Sequence, residues 1–328
     1  MVTVAGLVAS ACGSPASTSS ETVTASLPPI GAPPACVDAE LHFDAGAGRI
    51  LLINCVDQAD PSALEQVWGW DGSAWRILED EGPDALVLPG VTFDSARGVV
   101  VRYGGLPLDS NACVTETWEW DGSAWAEITA DPPSACNHMK LVFDTTNDAT
   151  LLFGGQDASD TPLAETWSWD GEAWQRAAVE GPPFRAHFEL VNDEANARVL
   201  LWGGYDGSRV FGDAWTWDGS AWTELELEGP SARSHASMAV GPDGILLFGG
   251  ATSASTFDSL IDETWLLADG EWSQLDAPGP SARGMAAIGH DGARGVTVLY
   301  GGFDATGAAL ADTWEWDGSA WRCVDGCD

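Results

Sequence analysis

The chain has 328 residues, and its hydrophobic content of 45% is enough for a packed core in one large domain or two ordinary ones. Its 50 acidic residues outnumber 13 basic ones, and the net charge of −37 argues against nucleic-acid binding and against attachment to anionic lipid headgroups. The chain also has 18 Trp but a single Lys, Lys140. So many Trp predict a packing role that repeats along the chain, because an indole is costly to leave exposed.

The first residues have the character of an export signal. Residues 2–11 form a short apolar run that ends in small residues, and Cys12 follows at once. The segment Ala9-Ser10-Ala11-Cys12 resembles the cleavage box of bacterial lipoproteins, in which the Cys becomes the acylated N-terminus, although Ala9 stands where that family prefers Leu. We therefore predict a signal peptide over residues 1–12 with lipidation at Cys12. The alternative is a plain secretory signal cleaved near Ala11.

A spacer is predicted between this signal and the folded domain. Residues 13–35 consist mainly of Ser, Thr, Pro and Ala, a composition typical of a disordered or extended linker. No later segment approaches 18 consecutive apolar residues, so the predicted membrane contact is the N-terminal lipid alone. The predicted location is extracytoplasmic, either as a bacterial outer-membrane lipoprotein or as a periplasmic or secreted protein.

A Trp-rich motif returns six times along the rest of the chain. The pattern W-x-W-D-G-x-x-W recurs at spacings of 50, 49, 48, 50 and 49 residues and includes every Trp except Trp202, although the fifth copy has Leu267 and Ala268 before Asp269-Gly270. Asp-Gly between apolar segments predicts a two-residue type I′ hairpin, and the first two Trp of each copy share one strand face. A ring of such hairpins would bury the Trp between neighbours. The six copies begin at Trp68, Trp118, Trp167, Trp215, Trp265 and Trp314.

A second signature precedes each hairpin, an apolar strand that ends in two Gly, as in Leu151 to Gly155. In the first copy Asn54-Cys55 replaces the Gly pair. With one more strand upstream, each repeat predicts four antiparallel strands, A to D, and six such repeats predict an all-β, six-bladed β-propeller. The predicted blades are residues 36–83, 84–133, 134–183, 184–230, 231–280 and 281–328.

The double Gly followed by the Trp hairpin resembles the Kelch-repeat family. More narrowly, the chain is similar to bacterial Kelch proteins that carry L-F-G-G and T-W-x-W-D-G, and the resemblance covers residues 36–328. It implies a Kelch-type propeller in which the starts of the A strands and the residues after the double Gly open on one face, around a central channel. It implies little about activity, since one fold hosts many functions.

The remaining six Cys predict disulfides, and hence an oxidising compartment. No Cys-x-x-Cys motif and no zinc spacing occurs. The start of strand A lies near the end of strand B, which places the partners of the first pair together, and Cys136 occupies the same repeat position as Cys36. The predicted pairs are Cys36–Cys55, Cys113–Cys136 and Cys323–Cys327. A rival pairing joins Cys327 to Cys36 and would staple the ring shut.

Positions that every blade shares are expected to serve the fold. Five blades carry an acid two residues before the first Trp, and the sixth carries Gln. Carboxylates in pairs can act as general acid and base, but repetition in this many blades predicts a structural hydrogen bond instead. These positions are Gln66, Glu116, Glu165, Asp213, Glu263 and Asp312.

Kelch geometry, carried onto this chain, implies a ligand-binding rim at the channel mouth. Blades four to six offer Arg at the start of strand A, and the residues after the double Gly add aromatic and polar groups. Such a set could hold a carboxylate or an acidic peptide. The alternative is that each Arg pairs with the acid of its own blade. The predicted rim residues are Arg185, Arg233, Arg283, Tyr205, Phe303 and Gln156.

Three His residues, His138, His187 and His235, stand at matched positions of adjacent blades. We expect the propeller to spread them around the ring, so no metal site is predicted. Acidic loops such as 157–160 could attract Ca²⁺, but they lack an EF-hand pattern, and no cofactor is predicted.

The sequence contains no nucleophile motif, no phosphate loop and no identifiable general acid–base pair. We therefore predict a non-catalytic, monomeric scaffold that binds a protein or glycan ligand through its pore-mouth loops. The alternative that remains open is a carbohydrate-active enzyme of the Kelch mutarotase or epimerase type, working through the rim arginines.

Overall fold

The computed structural model describes residues 30–56, 66–110, 112–178, 180–253 and 257–327. The predicted signal peptide, Cys12 and the first part of the predicted spacer lie outside these residues. Within them the chain is all-β, and its helical elements are two short 3-10 turns at Glu194–Asn196 and Phe257–Ser259. The described part of the chain has no helix that is long and apolar enough to cross a membrane.

Six antiparallel sheets form the six blades, and each sheet is built from one sequence repeat. Blade one contains β1 (Ile30–Gly31), β2 (Glu40–Asp44), β3 (Arg49–Ile53), β4 (Val67–Trp70) and β5 (Trp75–Glu79). Blade two contains β6 (Leu86–Val87), β7 (Gly90–Asp94), β8 (Val99–Pro107), β9 (Val114–Trp120) and β10 (Trp125–Ile128). Blade three contains β11 (Asn137–Asp144), β12 (Ala149–Gln156), β13 (Thr166–Trp169) and β14 (Trp174–Ala178).

The other three blades keep the four-strand pattern. Blade four contains β15 (Glu189–Asp193), β16 (Arg198–Trp202), β17 (Ala214–Trp217) and β18 (Trp222–Leu225). Blade five contains β19 (Ser237–Gly241), β20 (Gly244–Phe248), β21 (Thr264–Ala268) and β22 (Glu271–Leu275). Blade six contains β23 (Ala287–Asp291), β24 (Val296–Tyr300), β25 (Thr313–Trp316) and β26 (Trp321–Asp325). The prediction of a six-bladed propeller of four-stranded antiparallel blades is confirmed.

The ring closes without exchange of strands between the termini, because every repeat supplies its own four strands. Blade one meets blade six through backbone hydrogen bonds near the channel. The Cys36 N–H donates to the Leu310 carbonyl at 3.1 Å, and the Gly302 N–H donates to the Cys36 carbonyl at 2.9 Å.

The folded domain includes residues that the sequence assigned to the spacer. Strand β1 adds a fifth strand to the outer edge of blade one, with Ile30 opposite Arg76. The Tyr300 hydroxyl of blade six then donates to the Pro33 carbonyl at 2.7 Å. The folded domain therefore begins before residue 36, where the sequence analysis placed its start.

All three predicted disulfides are present, with Cα–Cα distances of 5.3, 5.5 and 6.2 Å in chain order. The first lies within blade one. Cys113–Cys136 joins the B–C loop of blade two to the start of blade three, and Cys323–Cys327 closes a short C-terminal loop. The rival pairing of Cys327 with Cys36 is wrong. These disulfides indicate an oxidising compartment outside the cytoplasm.

The C–D hairpins differ from the predicted two-residue turn in five blades. In blade one Trp70 pairs with Trp75, so the loop has four residues, and the Asp71 carboxylate accepts the N–H groups of Ser73 and Ala74 at 2.9 Å. This side-chain capping of the turn competes successfully with the type I′ geometry. Blade five alone has the predicted turn, with φ of 52° at Asp269 and 82° at Gly270.

The hydrophobic core is divided among the six seams between adjacent blades, with one buried cluster at each seam. The last Trp of the motif packs against an aromatic ring of the preceding blade in several seams. Trp75 contacts Tyr300 across the closing seam, and Trp222 contacts Phe153, with ring centroids 5.3 and 5.4 Å apart. The prediction that the motif buries Trp between neighbouring blades is confirmed for most second and last Trp, whereas the first Trp is half-buried in five of the six blades.

Hydrogen bonds from these Trp also cross four of the six seams. In each case the last indole N–H of a blade donates to a buried Thr that precedes the first Trp of the preceding blade. At the other two seams that position holds Val67 or Ala214, and the indole nitrogens of Trp125 and Trp272 are buried without a partner. The four bonds are Trp75–Thr313, Trp174–Thr117, Trp222–Thr166 and Trp321–Thr264, at 2.8–3.0 Å.

Restoring the missing hydroxyl should stabilise the protein. Val67 is fully buried, and Val67→Thr changes its shape little while giving the Trp125 N–H an acceptor. We expect a gain of about 1 kcal/mol in the free energy of unfolding, measured by guanidinium denaturation. The matched control, Thr166→Val, orphans the Trp222 N–H and should cost about 1–3 kcal/mol. A loss of stability in Val67→Thr would contradict this account of the seams.

Candidate functional site

The repeated acid before the first Trp has the structural role that its repetition predicted. In all six blades its side chain accepts a hydrogen bond from the indole N–H two residues later, at 2.7–3.1 Å. Gln66 does the same in blade one. These carboxylates are therefore part of the blade framework.

The three predicted rim arginines are buried inside their blades. The exposed fractions of Arg185, Arg233 and Arg283 are 0%, 0% and 2%. Arg283 forms two hydrogen bonds to Asp312, at 2.6 and 2.8 Å, and a third to the carbonyl of Gly301, the first Gly of the pair.

The other two arginines have equivalent partners. Arg185 contacts Asp213 at 2.7 and 2.9 Å, and Arg233 contacts Glu263 at 2.8 Å. The prediction that these three side chains lie at an open rim is wrong. Each arginine instead pairs with the acid of its own blade, which was the alternative. Each guanidinium can be buried because it donates hydrogen bonds both to the carbonyl of the first Gly of the pair and to the neighbouring acid. A role for these arginines in ligand binding stays a prediction.

The other predicted rim residues share one face of the propeller. Gln156, Tyr205 and Phe303 each follow a double Gly and form isolated bridges within their own blades. Phe303 is 7% exposed and packs edge-on against His235, with centroids 5.9 Å apart. The structure places these three residues on separate blades.

The channel mouth is formed by one residue from each blade, just before the A strand. All six adopt the left-handed backbone region, with φ between 51° and 58°, which is costly for residues other than Gly. Backbone bonds tie the positions together, such as His235 N–H to the His187 carbonyl at 3.0 Å. Since every blade has this geometry, the conformation belongs to the fold, while the side chains differ. They are Asp38, Leu88, His138, His187, His235 and Met285.

Charged side chains meet in the channel two residues after the mouth positions. Lys140, the single Lys of the chain, lies 2.6 Å from Glu40 and 3.7 Å from Glu189. These groups come from blades three, one and four. At the equivalent positions the other blades carry Gly90, Ser237 and Ala287, so the fold does not require charge there.

Burial shifts the pKa of Glu189 in this cluster and that of Asp38 at the neighbouring mouth position. Burial raises the pKa of Asp38 to about 7, although the charge of Lys140 opposes the rise. Burial likewise raises the pKa of Glu189 to about 7. Burial lowers the pKa of Lys140, but Glu189 and Glu40 outweigh it, so that the pKa lies above its ordinary value. The Lys140 ammonium therefore stays charged, while the Asp38 and Glu189 carboxyls titrate near neutral pH.

The three matched His residues lie side by side on the channel wall. His187 stacks on His235 with centroids 4.0 Å apart, and His138 meets His187 edge-on at 5.3 Å. The expectation that the propeller spreads them around the ring is wrong, because the channel is narrow enough for adjacent blades to bring their rings into contact. Burial lowers the pKa of all three, that of His235 to about 4, so they are neutral at pH 7.

A row of aromatic rings connects this wall to the surface. From His235 it continues to Phe303 and then to Phe257, whose ring lies 5.4 Å from that of Phe303. Phe257 is 51% exposed and is one of two large apolar side chains that stand out from the described surface. Among the described residues, no group of three or more His, Cys, Asp or Glu is placed to hold a metal ion.

The charged cluster separates two cavities along the channel. The mouth cavity has a volume of about 50 Å³, and its walls include Asp38, His187 and His235. The deeper cavity has about 240 Å³ and is lined by the A strands of all six blades. Glu40, Lys140 and Glu189 line both cavities. The mouth has the volume of a few waters, which suits a single functional group and not a whole sugar ring.

Sequence analysis missed the charged cluster. Its members sit two residues after the mouth positions, inside strands that otherwise read as routine repeats. One signal was present: Lys140 is the single Lys of the chain, and it interrupts the apolar pattern of β11. Its partners Glu40 and Glu189 lie at the same repeat position in other blades, so an alignment of the six A strands would have found them.

No protein-family model and no curated protein sequence matches the chain. Its fold is similar to that of many solved chains. One is the structure of YjhT, with a TM-score of 0.70, which covers 92% of this chain and 100% of that one at 12% identity. This similarity concerns the fold alone. It places the chain among six-bladed β-propellers and leaves the Kelch resemblance as a resemblance.

Proposed function

We propose that this protein is an extracytoplasmic, lipid-anchored propeller that binds a ligand at its channel mouth without transforming it. One observation carries the proposal. Charged groups from three blades meet at the channel at positions where the other blades carry Gly, Ser and Ala. The Lys140 side chain is 28% exposed, so part of its hydration is lost among these carboxyls, and such a desolvation cost is seldom met at a position without a task.

The mouth has the properties of a recognition site. It is concave, it combines polar groups with apolar side chains, and backbone bonds from His235 to His187 and from Met285 to His235 help to preorganise it. The exposed Phe257 lies on the same aromatic row and extends the contact surface available to a larger ligand. The ligand would therefore be a protein or glycan that inserts one functional group into the mouth.

Binding can be tested by closing the mouth. His235→Trp fills the cavity with a larger ring that can still stack on His187. We expect wild-type protein to retain at least one class of ligand on arrays of glycans and of charged peptides, and the variant to lose it. Ala293→Trp, an exposed position in the turn at the opposite face, should bind normally. Equal retention by both variants would move the site away from the channel, and no retention by wild type would refute binding.

The non-catalytic part of the proposal has its own test. Asp38 and Glu189 have pKa values near 7, which suits general acid–base work, and this favours a second candidate, a proton-transfer enzyme acting on sugars. Exchange spectroscopy on reducing sugars should show no acceleration of anomer exchange by purified protein. Acceleration that disappears in Glu189→Gln would establish the enzyme instead.

The lipid anchor is tested at Cys12. We expect metabolic labelling with a palmitate analogue to mark the wild-type protein, and Cys12→Ser to abolish the label, because the acylated group is the new N-terminal Cys. Ser10→Ala, beside the cleavage site, should still be labelled. Label that persists in Cys12→Ser would rule out the anchor.

A further inference from the structure

We propose that the channel mouth recognises a primary alkylammonium group, such as a lysine side chain of a partner protein, with its charge on Asp38 and Glu189 and its methylenes on the apolar wall. This inference rests on the proposed function of the mouth as a binding site and names the chemistry of its ligand.

The first step is the charge of the mouth. Three carboxyls, Asp38, Glu40 and Glu189, face a single ammonium, that of Lys140. Blades two and six contribute the uncharged Leu88 and Met285. The titratable groups that face the mouth and the channel below it are Asp38, Glu40 and His42 from blade one, His138 and Lys140 from blade three, His187 and Glu189 from blade four, His235 from blade five, and His290 from blade six.

The second step is that the histidines supply no compensating charge. Burial lowers the pKa of His42 and His235 to about 4, and burial also lowers that of His138 and His187. Among the described residues that line the mouth, Lys140 is thus the one cation, and the raised pKa of about 7 for Asp38 and Glu189 favours a proton on one of them. A ligand ammonium would displace that proton and pair with the carboxylate left behind.

The third step is the shape and polarity of the opposite wall. The carboxyls lie on blades one and four, while blades five and six present Ala236, Met238, Met285 and Ile288 to the same cavity. An ammonium on a flexible methylene chain matches both sides, because its stem can pack on apolar carbons while its head is charged. The cavity of about 50 Å³ admits such a group and excludes a bulkier quaternary ammonium.

The free carboxylate oxygen is that of Asp38. Glu40 is occupied by Lys140 at 2.6 Å, and Glu189 lies 3.7 Å from the same ammonium. Asp38 accepts one backbone hydrogen bond, from the Leu88 N–H at 3.1 Å. Its remaining acceptor capacity is directed to the cavity that it lines.

The experiment uses n-butylammonium as the probe, with butyrate and n-butanol as matched comparisons. The imidazole C–H signals of the five His report the site, because His187 and His235 line the mouth cavity while His290 lines the deeper cavity and not the mouth. We expect butylammonium to shift the signals of His187 and His235 with a millimolar Kd, and the signal of His290 to stay in place. Five heavy atoms can supply that affinity.

Two changes should alter the affinity in opposite directions. Asp38→Asn, which suits the left-handed backbone and keeps the Leu88 acceptor, should weaken binding at least about tenfold. Asp109→Asn, which removes an exposed charge from the same face, should leave it unchanged. Raising the pH from 6 to 8 should strengthen binding by up to about tenfold, since the carboxyls lose their protons while the amine, with a pKa near 10.4, keeps its own.

The failures of the two proposals are distinguishable. Binding of butyrate or butanol as tight as that of butylammonium, no shift with any of the three probes, or full affinity in Asp38→Asn would each overturn the ammonium inference. The proposed function would survive any of these results if an array ligand were still lost in His235→Trp.

Discussion

Replacing Asp312 by Ala should destabilise the protein by about 3–5 kcal/mol, the cost of leaving one partner of a buried ion pair without the other. Asp312 forms two hydrogen bonds to Arg283, which is 2% exposed, and also accepts the Trp314 N–H at 2.7 Å. Burial raises the pKa of this carboxyl, but the guanidinium outweighs it and holds the pKa below its usual range. Guanidinium denaturation would measure the loss.

The chain contains its own control for this prediction. Gln66 in blade one makes the same bond to an indole, with Trp68, but the corresponding A-strand position is Cys36 and holds no Arg. Gln66→Ala should therefore cost only about 1 kcal/mol. A similar cost in the two variants would mean that water reaches the Arg283 guanidinium once the carboxylate is removed.

Removing the Cys113–Cys136 disulfide should cost about 3 kcal/mol. It closes a loop with a sequence separation of 23 residues and joins blade two to blade three, so that its loss increases the freedom of the unfolded chain. The double variant Cys113→Ala, Cys136→Ala should melt roughly 5 °C lower than the wild type.

The C-terminal disulfide is the matched comparison. Cys323–Cys327 closes a loop with a sequence separation of only 4, and the same argument gives about 2 kcal/mol. It also closes a loop within blade six and joins no two blades. A smaller loss for the Cys113–Cys136 variant than for the Cys323–Cys327 variant would show that loop length does not set these contributions.

Most of the fold could be predicted from the sequence repeat alone. The spacing of the Trp, the double Gly and the Cys pairs predicted the blades, their strand order and the disulfides, because each depends on contacts within one repeat or between neighbours. The turn type was misjudged at Asp71, where the side chain caps the loop. That competition is local but cannot be read from Asp-Gly alone.

The candidate site was harder to predict from the sequence, because it depends on distances between residues of different blades. Arg185 looked like a rim residue until its depth in the blade was visible, since the sequence does not show which side of a strand start faces the channel. The contact between His187 and His235 follows from the channel radius, which no repeat encodes. Lys140 and Glu40 are 100 residues apart and meet only because the ring closes.

The two seams that lack an indole hydrogen bond divide the propeller into two arcs of three blades. Trp125 and Trp272 stand at the junctions of blades one and two and of blades four and five. The intact bonds tie blades two, three and four into one arc and blades five, six and one into the other. Under mechanical load or early in thermal denaturation, such a ring would yield at these two opposite joints first. We therefore expect the propeller to separate into two arcs of three blades before either arc opens between its own blades.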